Sequence, residues 1–252
     1  MIYITIPVHN EQRTIGVLLW RIREILTELG RDFRILVLDD GSTDDTAEVL
    51  EPYTRVLPLT VLRHDVRQGY AASLDTLIRE VVRRSEYPRR DGVLVMQGDF
   101  TDGPEAIADM LRRFQGGSDL VTVAAVGVKR APWLVRLTRM WAATMLRSLR
   151  FPQQTGDAFT GYRLYRLAVL KRTLKDVPQG RSLLRHDGWA ASVELLAAVG
   201  PHVRQAAVVD APYDTDRRYR ASRFRPVPEL WALHKARRDP RLRAGAAQLL
   251  SP

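Results

Sequence analysis

The stretch from Ile35 to Thr46, "ILVLDDGSTDDT", constrains the fold more than any other part of the chain. Ile35, Leu36, Val37 and Leu38 show no polar alternation. They suit a strand buried on both faces, as in a parallel sheet covered by helices. Asp39 and Asp40 stand at the carboxyl end of that strand. Gly41 supplies a turn, and Ser42, Thr43, Asp44 and Asp45 carry the short oxygen side chains that start a helix. Ligands of open α/β sheets bind outside the carboxyl ends of strands. The stretch therefore reads as a strand that delivers carboxylates to a site.

The same pattern recurs along the chain. An apolar run from Ile2 to Val8 ends in the polar loop His9, Asn10, Glu11. A helix is predicted from about Glu11 to Gly30, with Ile15, Leu18, Leu19, Ile22, Ile25, Leu26 and Leu29 at helical spacing. A second helix is expected from near Thr43 to Pro52, then a strand in "VLPLTVLRH" and a helix in "QGYAASLDTLIREVVRR". "DGVLVMQGDF" reads as a further strand that ends in Asp99, with Gln97 before it and Asp102 beyond. Pro104 opens the next helix at a favoured first-turn position, and "DLVTVAAVGV" is a fifth strand. After Gly161 the pattern is less regular. A helix spans Gly188 to Val199 and "HVRQAAVVDAP" is a late strand. Alternation of strand and helix implies an α/β protein with a largely parallel sheet.

Composition limits the classes left. A chain of 252 residues with 45% hydrophobic content suffices for one large α/β domain. The absence of cysteine excludes disulfides and thiolate metal sites, and suits a reducing cytoplasm. Met1 leads straight into a strand, so no secretory leader is expected. No apolar run approaches the roughly 20 residues that span a bilayer. The net charge of +10 is uneven: Arg217 to Pro252 holds ten Lys/Arg against two acids, and Lys129 to Arg150 holds no acid. Such zones suit a phosphate-rich partner or an anionic surface, or form a solvated tail.

Three strand ends thus bring His9 and Glu11, Asp39 and Asp40, and Gln97, Asp99 and Asp102 toward one place. Clustered carboxylates are costly unless a cation or hydrogen-bond donors compensate them. A divalent cation with a diphosphate is the natural compensation, and oxygen ligands suit Mg2+ or Mn2+.

Six segments, in order, resemble the motifs of family 2 glycosyltransferases, in the dolichol-phosphate mannose synthase-like, polyprenyl-phosphate branch: "IPVHNEQRTI", "VLDDGSTDDT", "RQGYAASLDT", "VMQGDFTDGPE", "DAFTGYRLYRLAVL" and "APYDTDRRYRASRF". The match covers roughly Ile2 to Phe224. The resemblance implies a GT-A fold, a Rossmann-like nucleotide-sugar-binding α/β architecture with a mostly parallel central sheet flanked by helices. It implies a glycosyltransferase domain over residues 1–215, nucleotide-sugar-binding over 1–128 and acceptor-side over 129–215, followed by a basic tail over 216–252. It further implies transfer of a sugar from a UDP-, GDP- or dTDP-sugar to a polyprenyl phosphate, with inversion and with metal assistance. Pro7, His9 and Glu11 would shape the nucleoside pocket, Asp40 would accept from the base, and Asp39 would support it. Gly69 would let the backbone approach the nucleotide, and Asp99, with Gln97 and Asp102, would hold the metal. Arg163, Arg217 and Arg223 would contact phosphate and stabilise the leaving diphosphate. Glu194 lies where this branch has a carboxylate. The chain departs from the pattern at Gln97, where the first Asp of Asp-x-Asp is expected, at Arg67 in place of Asn, and at Arg220 in place of Gly. It also has "TVAAVGVKR" where a Gly-Ser-Arg is usual, leaving Lys129 or Arg130 to supply the positive charge.

The acceptor is less constrained. At about 100° per residue, Pro132 to Phe151 gathers Arg136, Arg139, Arg147 and Arg150 on one arc. Trp133, Leu137, Trp141, Met145 and Leu149 form an apolar stripe, widened by Leu134 and Leu146. Such a helix suits an anionic bilayer interface, and a helix packed on the sheet or in a homodimer fits the same pattern. Peripheral attachment at the inner face of the cell membrane follows from the first reading. A phosphate acceptor is ionised near neutral pH and needs no strong base. An alcohol acceptor, a hydroxyl of a saccharide or secondary metabolite, needs one, and Asp157, Asp187 and Glu194 are the candidates. Two other classes compete. A nucleic-acid-binding protein lacks a recognisable module here, and a nucleotidyltransferase would need a glycine-rich loop that "VHNEQRT" does not contain.

Overall fold

A computed structural model describes residues 1–126, 133–146, 149, 151–152, 154–212 and 226–239. Its strands are β1 (Ile2–Val8), β2 (Phe33–Asp40), β3 (Leu59–His64), β4 (Gly92–Val95), β5 (Leu120–Val126), β6 (Arg163–Arg166) and β7 (Ala206–Pro212). They form one sheet in the order β3-β2-β1-β4-β6-β5-β7. β1 pairs in parallel with β2 and β4, β2 with β3, and β5 with β7, while β6 runs antiparallel to both neighbours. The largely parallel sheet expected from the apolar runs is present.

The helices are α1 (Ile15–Glu28), α2 (Thr46–Leu50), α3 (Tyr53–Val56), α4 (Tyr70–Arg84), α5 (Ile107–Gln115), α6 (Trp133–Leu146), α7 (Leu167–Lys175), α8 (Trp189–Val199) and α9 (Pro226–Ala236). Helices cover both faces of the sheet. In β2, Ile35 and Val37 pack with Ile4, Ile6, Leu18 and Leu19, whereas Leu36 and Leu38 pack with Leu74, Leu77 and Ile78 of α4. Period-two alternation sends the run to two cores, so no residue of it can be polar.

Several boundaries differ from the sequence pattern. α1 begins at Ile15 instead of Glu11, because Glu11 closes a turn by accepting from Thr14 N at 3.0 Å. The third strand begins at Leu59, since Tyr53–Val56 makes a helical turn after Pro52. β4 stops at Val95, and the chain turns off the sheet before Asp99. β6 and α7 lie in the irregular region. The four-residue "RLYR" of β6 is too short and too polar to announce a strand, yet Leu164 and Tyr165 are fully buried. Within the segment read as a basic tail, α9 forms, and its Leu233 and Ala236 bury against Ala142 and Leu146 of α6 and Val193 of α8.

The chain steps from β1 to β2 and β3 on one side, then returns to β4 on the other side of β1. That reversal opens a crevice at the carboxyl ends of β1 and β4.

Candidate functional site

The loops after β1 and β2 are laced together. Asn10 N donates to Ser42 Oγ at 2.9 Å, Thr43 N to Asn10 Oδ1 at 2.8 Å, Glu11 N to Thr46 Oγ1 at 2.9 Å, and Asp45 N to Gln12 Oε1 at 2.8 Å. The hydroxyls and amides of "HNEQ" and "GSTDDT" thus satisfy backbone groups that a loop would otherwise leave unpaired. His9 Nδ1 lies 2.9 Å from the Asp40 carbonyl oxygen. Pro7 is half-buried at the end of β1, and Glu11 is buried and accepts from Thr14 Oγ1 at 2.9 Å.

Register places the two strand-end aspartates against basic neighbours. Asp39 pairs across the sheet with Arg63, and Asp40 with His64. Asp39 Oδ1 accepts from Ser42 N at 3.0 Å, and Oδ2 lies 3.6 Å from Arg63 Nε. Asp40 Oδ1 accepts from Gln68 N and His64 Nδ1, both at 2.8 Å, and its Oδ2 from Gly69 N at 2.8 Å. Burial alone would raise the Asp40 pKa; the donors from Gln68, His64 and Gly69 outweigh it and hold the carboxyl below its usual range. Gly41 has φ 61°, and a Cβ there would stand 2.6 Å from Arg67 N. Gly69 has φ 100°, and its Cβ would stand 2.7 Å from Asp187 Oδ2. Both positions require glycine.

On the β4 side, Asp102 Oδ2 accepts from Gln97 N at 2.8 Å, and Asp99 Oδ1 accepts from Thr101 N at 3.1 Å and Thr101 Oγ1 at 2.5 Å. Phe100 adopts φ 62° at the tip of this turn. Asp99 and Asp102 are buried. Gln97, Asp99 and Asp102 are all oxygen donors, the hard set that suits Mg2+ or Mn2+. Among the described residues no three His, Cys, Asp or Glu side chains form a metal-holding group. Magnesium-type sites commonly use one or two carboxylates and take their remaining ligands from substrate phosphates, so the donor set fits such a cation.

The acceptor-side acids are all engaged. Asp157 forms an ion pair with Arg139 of α6, and its Oδ1 accepts from Phe159 N at 2.9 Å. Arg139 also stacks over Phe159 and Trp189, 5.1 and 5.6 Å from the ring centroids. This pair lines a cavity of about 560 Å3 walled by Ala143, Leu146, Leu149 and Phe151. Asp187 Oδ1 accepts from Ala71 N at 2.9 Å. Glu194, 1% exposed in α8, accepts from Arg185 N at 2.9 Å and His186 N at 3.1 Å.

Arg163, expected at phosphate, is 0% exposed inside the sheet. It donates to the Ser192 carbonyl at 2.6 Å and the Ala158 carbonyl at 2.8 Å, tying α8 to the 157–158 turn. Arg217, Arg223, Lys129, Arg130, Arg147, Arg150 and Arg220 lie outside the described residues. His64, Arg63 and Arg139 were not singled out for this site by sequence. The first two are placed by the β2–β3 register, which "VLRH" alone does not announce, and nothing in the helix pattern distinguished Arg139 from its neighbours.

The apolar stripe predicted over 132–151 divides: Trp133, Leu137 and Trp141 face outward, while Leu146 and Leu149 are buried. Trp133, Leu137, Met140 and Trp141 are exposed, as are Val227 and Trp231 on α9, and Lys235 stacks over Trp231. Thr138, Ala142 and Leu146 form the buried side of α6. Among the described residues no helix is long and apolar enough to cross a membrane.

Comparison with known proteins agrees with this architecture. The undecaprenyl-phosphate 4-deoxy-4-formamido-L-arabinose transferase of Pseudomonas aeruginosa is 27% identical over 178 residues, covering 69% of this chain and 49% of the relative. An uncharacterized glycosyltransferase of Bacillus subtilis, YkcC, is 22% identical over 157 residues, 61% of this chain and 47% of its own. The chain spans about half the length of the curated relatives it matches. Glucosyl-3-phosphoglycerate synthase from Mycobacterium tuberculosis, solved with Mn2+, UDP and glucosyl-3-phosphoglycerate, superposes with TM-score 0.62 at 21% identity, covering 96% of this chain and 80% of that one. The expected GT-A architecture is therefore present. The family model for glycosyl transferase family 2 matches residues 3–174, most of the ordered sheet and its strand-end loops, and the chain belongs to that family.

Proposed function

We propose that the chain moves a glycosyl group from a nucleoside-diphosphate sugar to a polyprenyl phosphate, with inversion at the anomeric carbon. The observation that carries the choice of acceptor is the state of the three candidate bases. Asp157 is paired with Arg139, Asp187 accepts from Ala71 N, and Glu194 accepts from two backbone N–H groups. Each of these carboxylates is already engaged in holding a loop or a guanidinium, whereas a general base must reach the hydroxyl proton that it abstracts. A phosphate acceptor arrives ionised and needs none. The name of the Pseudomonas aeruginosa relative, an undecaprenyl-phosphate transferase, supports the same acceptor.

In this reading the nucleoside lies against His9, Glu11, Asp39 and Asp40, with Pro7 shaping the β1 end and Gly69 admitting the backbone. Asp99, with Gln97 and Asp102, would hold Mg2+ or Mn2+, which when bound would supply positive charge for the departing diphosphate, an electrostatic contribution. A phosphate oxygen of the acceptor forms the new bond to the anomeric carbon as the bond to the diphosphate breaks on the opposite side. Arg217 and Arg223 follow the family motif as phosphate contacts. The exposed tryptophans of α6 and α9, with the basic segments beside them, suit peripheral attachment to an anionic membrane at its cytoplasmic face.

The test is a transfer assay with UDP-, GDP- and dTDP-sugars, polyprenyl phosphate, and Mg2+, Mn2+ or chelator, read by mass spectrometry. A metal-dependent glycosyl-phosphoprenol is expected. Transfer only to a hydroxyl acceptor would refute the acceptor assignment, and release of inorganic diphosphate would refute glycosyl transfer.

A further inference from the structure

The loop that enters α8 is held from three directions. Glu194 accepts from Arg185 N and His186 N. Asp239, just past α9, pairs with Arg185 at 3.7 Å. Glu229 of α9 accepts from Trp189 N at 2.9 Å, and its carboxylate lies against Gly188. Gly188 is the residue before α8 and has no side chain to cap it, so an acid from another helix supplies the acceptor that the first turn lacks.

The residue gripped in this way points in the opposite direction. Asp187 Oδ1 accepts from Ala71 N at 2.9 Å, and its Oδ2 occupies the space that a Cβ on Gly69 would need. Gly69 N donates in turn to Asp40. A continuous series of contacts therefore runs from Glu229 through Gly188 and Trp189 to Asp187, then to the Gly69–Ala71 backbone and Asp40. Burial, and then the charge of Asp187, push the Glu229 carboxyl up, against the pull of the Trp189 N–H bond. Two acids are thus held close together at the junction of α8 and α9.

We propose that Glu229 is a positioning residue for the donor site: by capping α8 it sets Asp187, and Asp187 sets the Gly69–Ala71 backbone where the nucleotide lies. The proposal rests on the donor-site reading above. It makes α9, far along the chain from the strand-end motifs, a determinant of nucleotide affinity.

The experiment is calorimetric binding of UDP, GDP and dTDP with Mn2+ to the full chain and its variants, with melting temperature measured alongside. E229A should weaken the nucleotide that the wild type binds by roughly tenfold, the scale of one charge-assisted hydrogen bond. E229Q keeps an acceptor oxygen and should stay within about threefold. D187A should match E229A, and the double variant should bind no more weakly than D187A alone, because both act along one path. Should E229A not fold, E229D, one methylene short, carries the same expectation at an unchanged melting temperature. An unaltered affinity in the Glu229 variants beside a weakened D187A overturns the proposal, as do losses that multiply in the double variant. A wild type that binds none of the three nucleotides overturns the donor-site reading itself, and the proposal falls with it.

Discussion

Replacing Asp40 by asparagine removes one acceptor oxygen from a group that uses both. Asp40 Oδ1 takes Gln68 N and His64 Nδ1, and Oδ2 takes Gly69 N. The amide of D40N offers a single oxygen. Turned toward Gln68 and His64, its NH2 faces Gly69 N–H, donor against donor; turned the other way it strands Gln68 N. An unpaired buried N–H costs about 1–3 kcal/mol, and the bond that remains loses its charge assistance, about 1 kcal/mol more. The loss of stability is therefore about 2–4 kcal/mol. At about 2–4 °C per kcal/mol for a chain of this size, the melting temperature should fall by roughly 5–15 °C at pH 7. The pH dependence gives a second check. The Asp40 pKa is depressed in the folded protein, so its contribution is present above the unfolded value near 3.9 and is lost as pH falls through the folded value. The gap between wild type and D40N should be largest at neutral pH and should narrow progressively as the pH falls below about 4. Calorimetry at pH 7 and pH 3 measures both. A melting temperature within 2 °C of wild type at pH 7, or a gap that persists unchanged in acid, would refute the account of Asp40 as a charged anchor for the Gln68–Gly69 backbone.

Asp99→Ala should abolish metal-dependent transfer, with the melting temperature measured alongside to separate this from loss of folding; retained activity with added Mn2+ would remove Asp99 from the metal site. Gly69→Ala meets Asp187 Oδ2 at 2.7 Å with φ 100°, so strain of about 1–3 kcal/mol should appear as a lower melting temperature together with weaker nucleotide binding, and a neutral variant would contradict the close approach. Glu194→Gln keeps an acceptor oxygen for Arg185 N and His186 N, so kcat with polyprenyl phosphate should fall less than fivefold; a loss of a thousandfold or more would identify Glu194 as a base and the acceptor as an alcohol. Serine at both Trp141 and Trp231 should reduce sedimentation with vesicles containing anionic lipid by about tenfold without altering nucleotide affinity, and wild-type binding should weaken with salt; equal binding by wild type and variant would remove α6 and α9 from the membrane surface.

The strand-end loops were legible because their signals are local. A run such as Ile35–Leu38 can only be a buried strand, and the carboxylates after it must lie at a strand end. What periodicity could not show was pairing. The bonds of Asp40 to His64 and of Asp39 to Arg63 depend on β2–β3 register, and no feature of "VLRH" alone states its partner. Arg163 was misleading for a related reason. A cation in a family motif invites a phosphate, but β6 runs antiparallel inside the sheet and spends that guanidinium on carbonyls of α8 and the 157–158 turn. β6 itself was invisible because four residues with two arginines carry no strand pattern. α9 was read as charge because ten basic residues from Arg217 onward outweigh the four apolar positions, Leu230, Ala232, Leu233 and Ala236, that dock it.

The donor and acceptor sides of the proposed site are built by different means, and this bears on where specificity resides. On the donor side, loop backbone is fixed by hydroxyls and carboxylates from adjacent strand ends, so its geometry follows from the sheet. On the acceptor side, Asp157, Asp187 and Glu194 fix loops through partners on α6, α4 and the segment before α8. Of these elements, α6 and α8 pack with α9, while α4 packs on β1 and β2. A change in the sheet core would damage both halves together through folding. A change in α6 can shift the 157–158 turn through the Arg139–Asp157 pair and leave the strand ends intact, whereas a change in α9 also reaches the Gly69–Ala71 backbone through Glu229 and Asp187. Variation in acceptor among proteins with this sheet is therefore expected to track α6, and a chimaera that exchanges α6 alone should change acceptor preference while keeping the donor nucleotide.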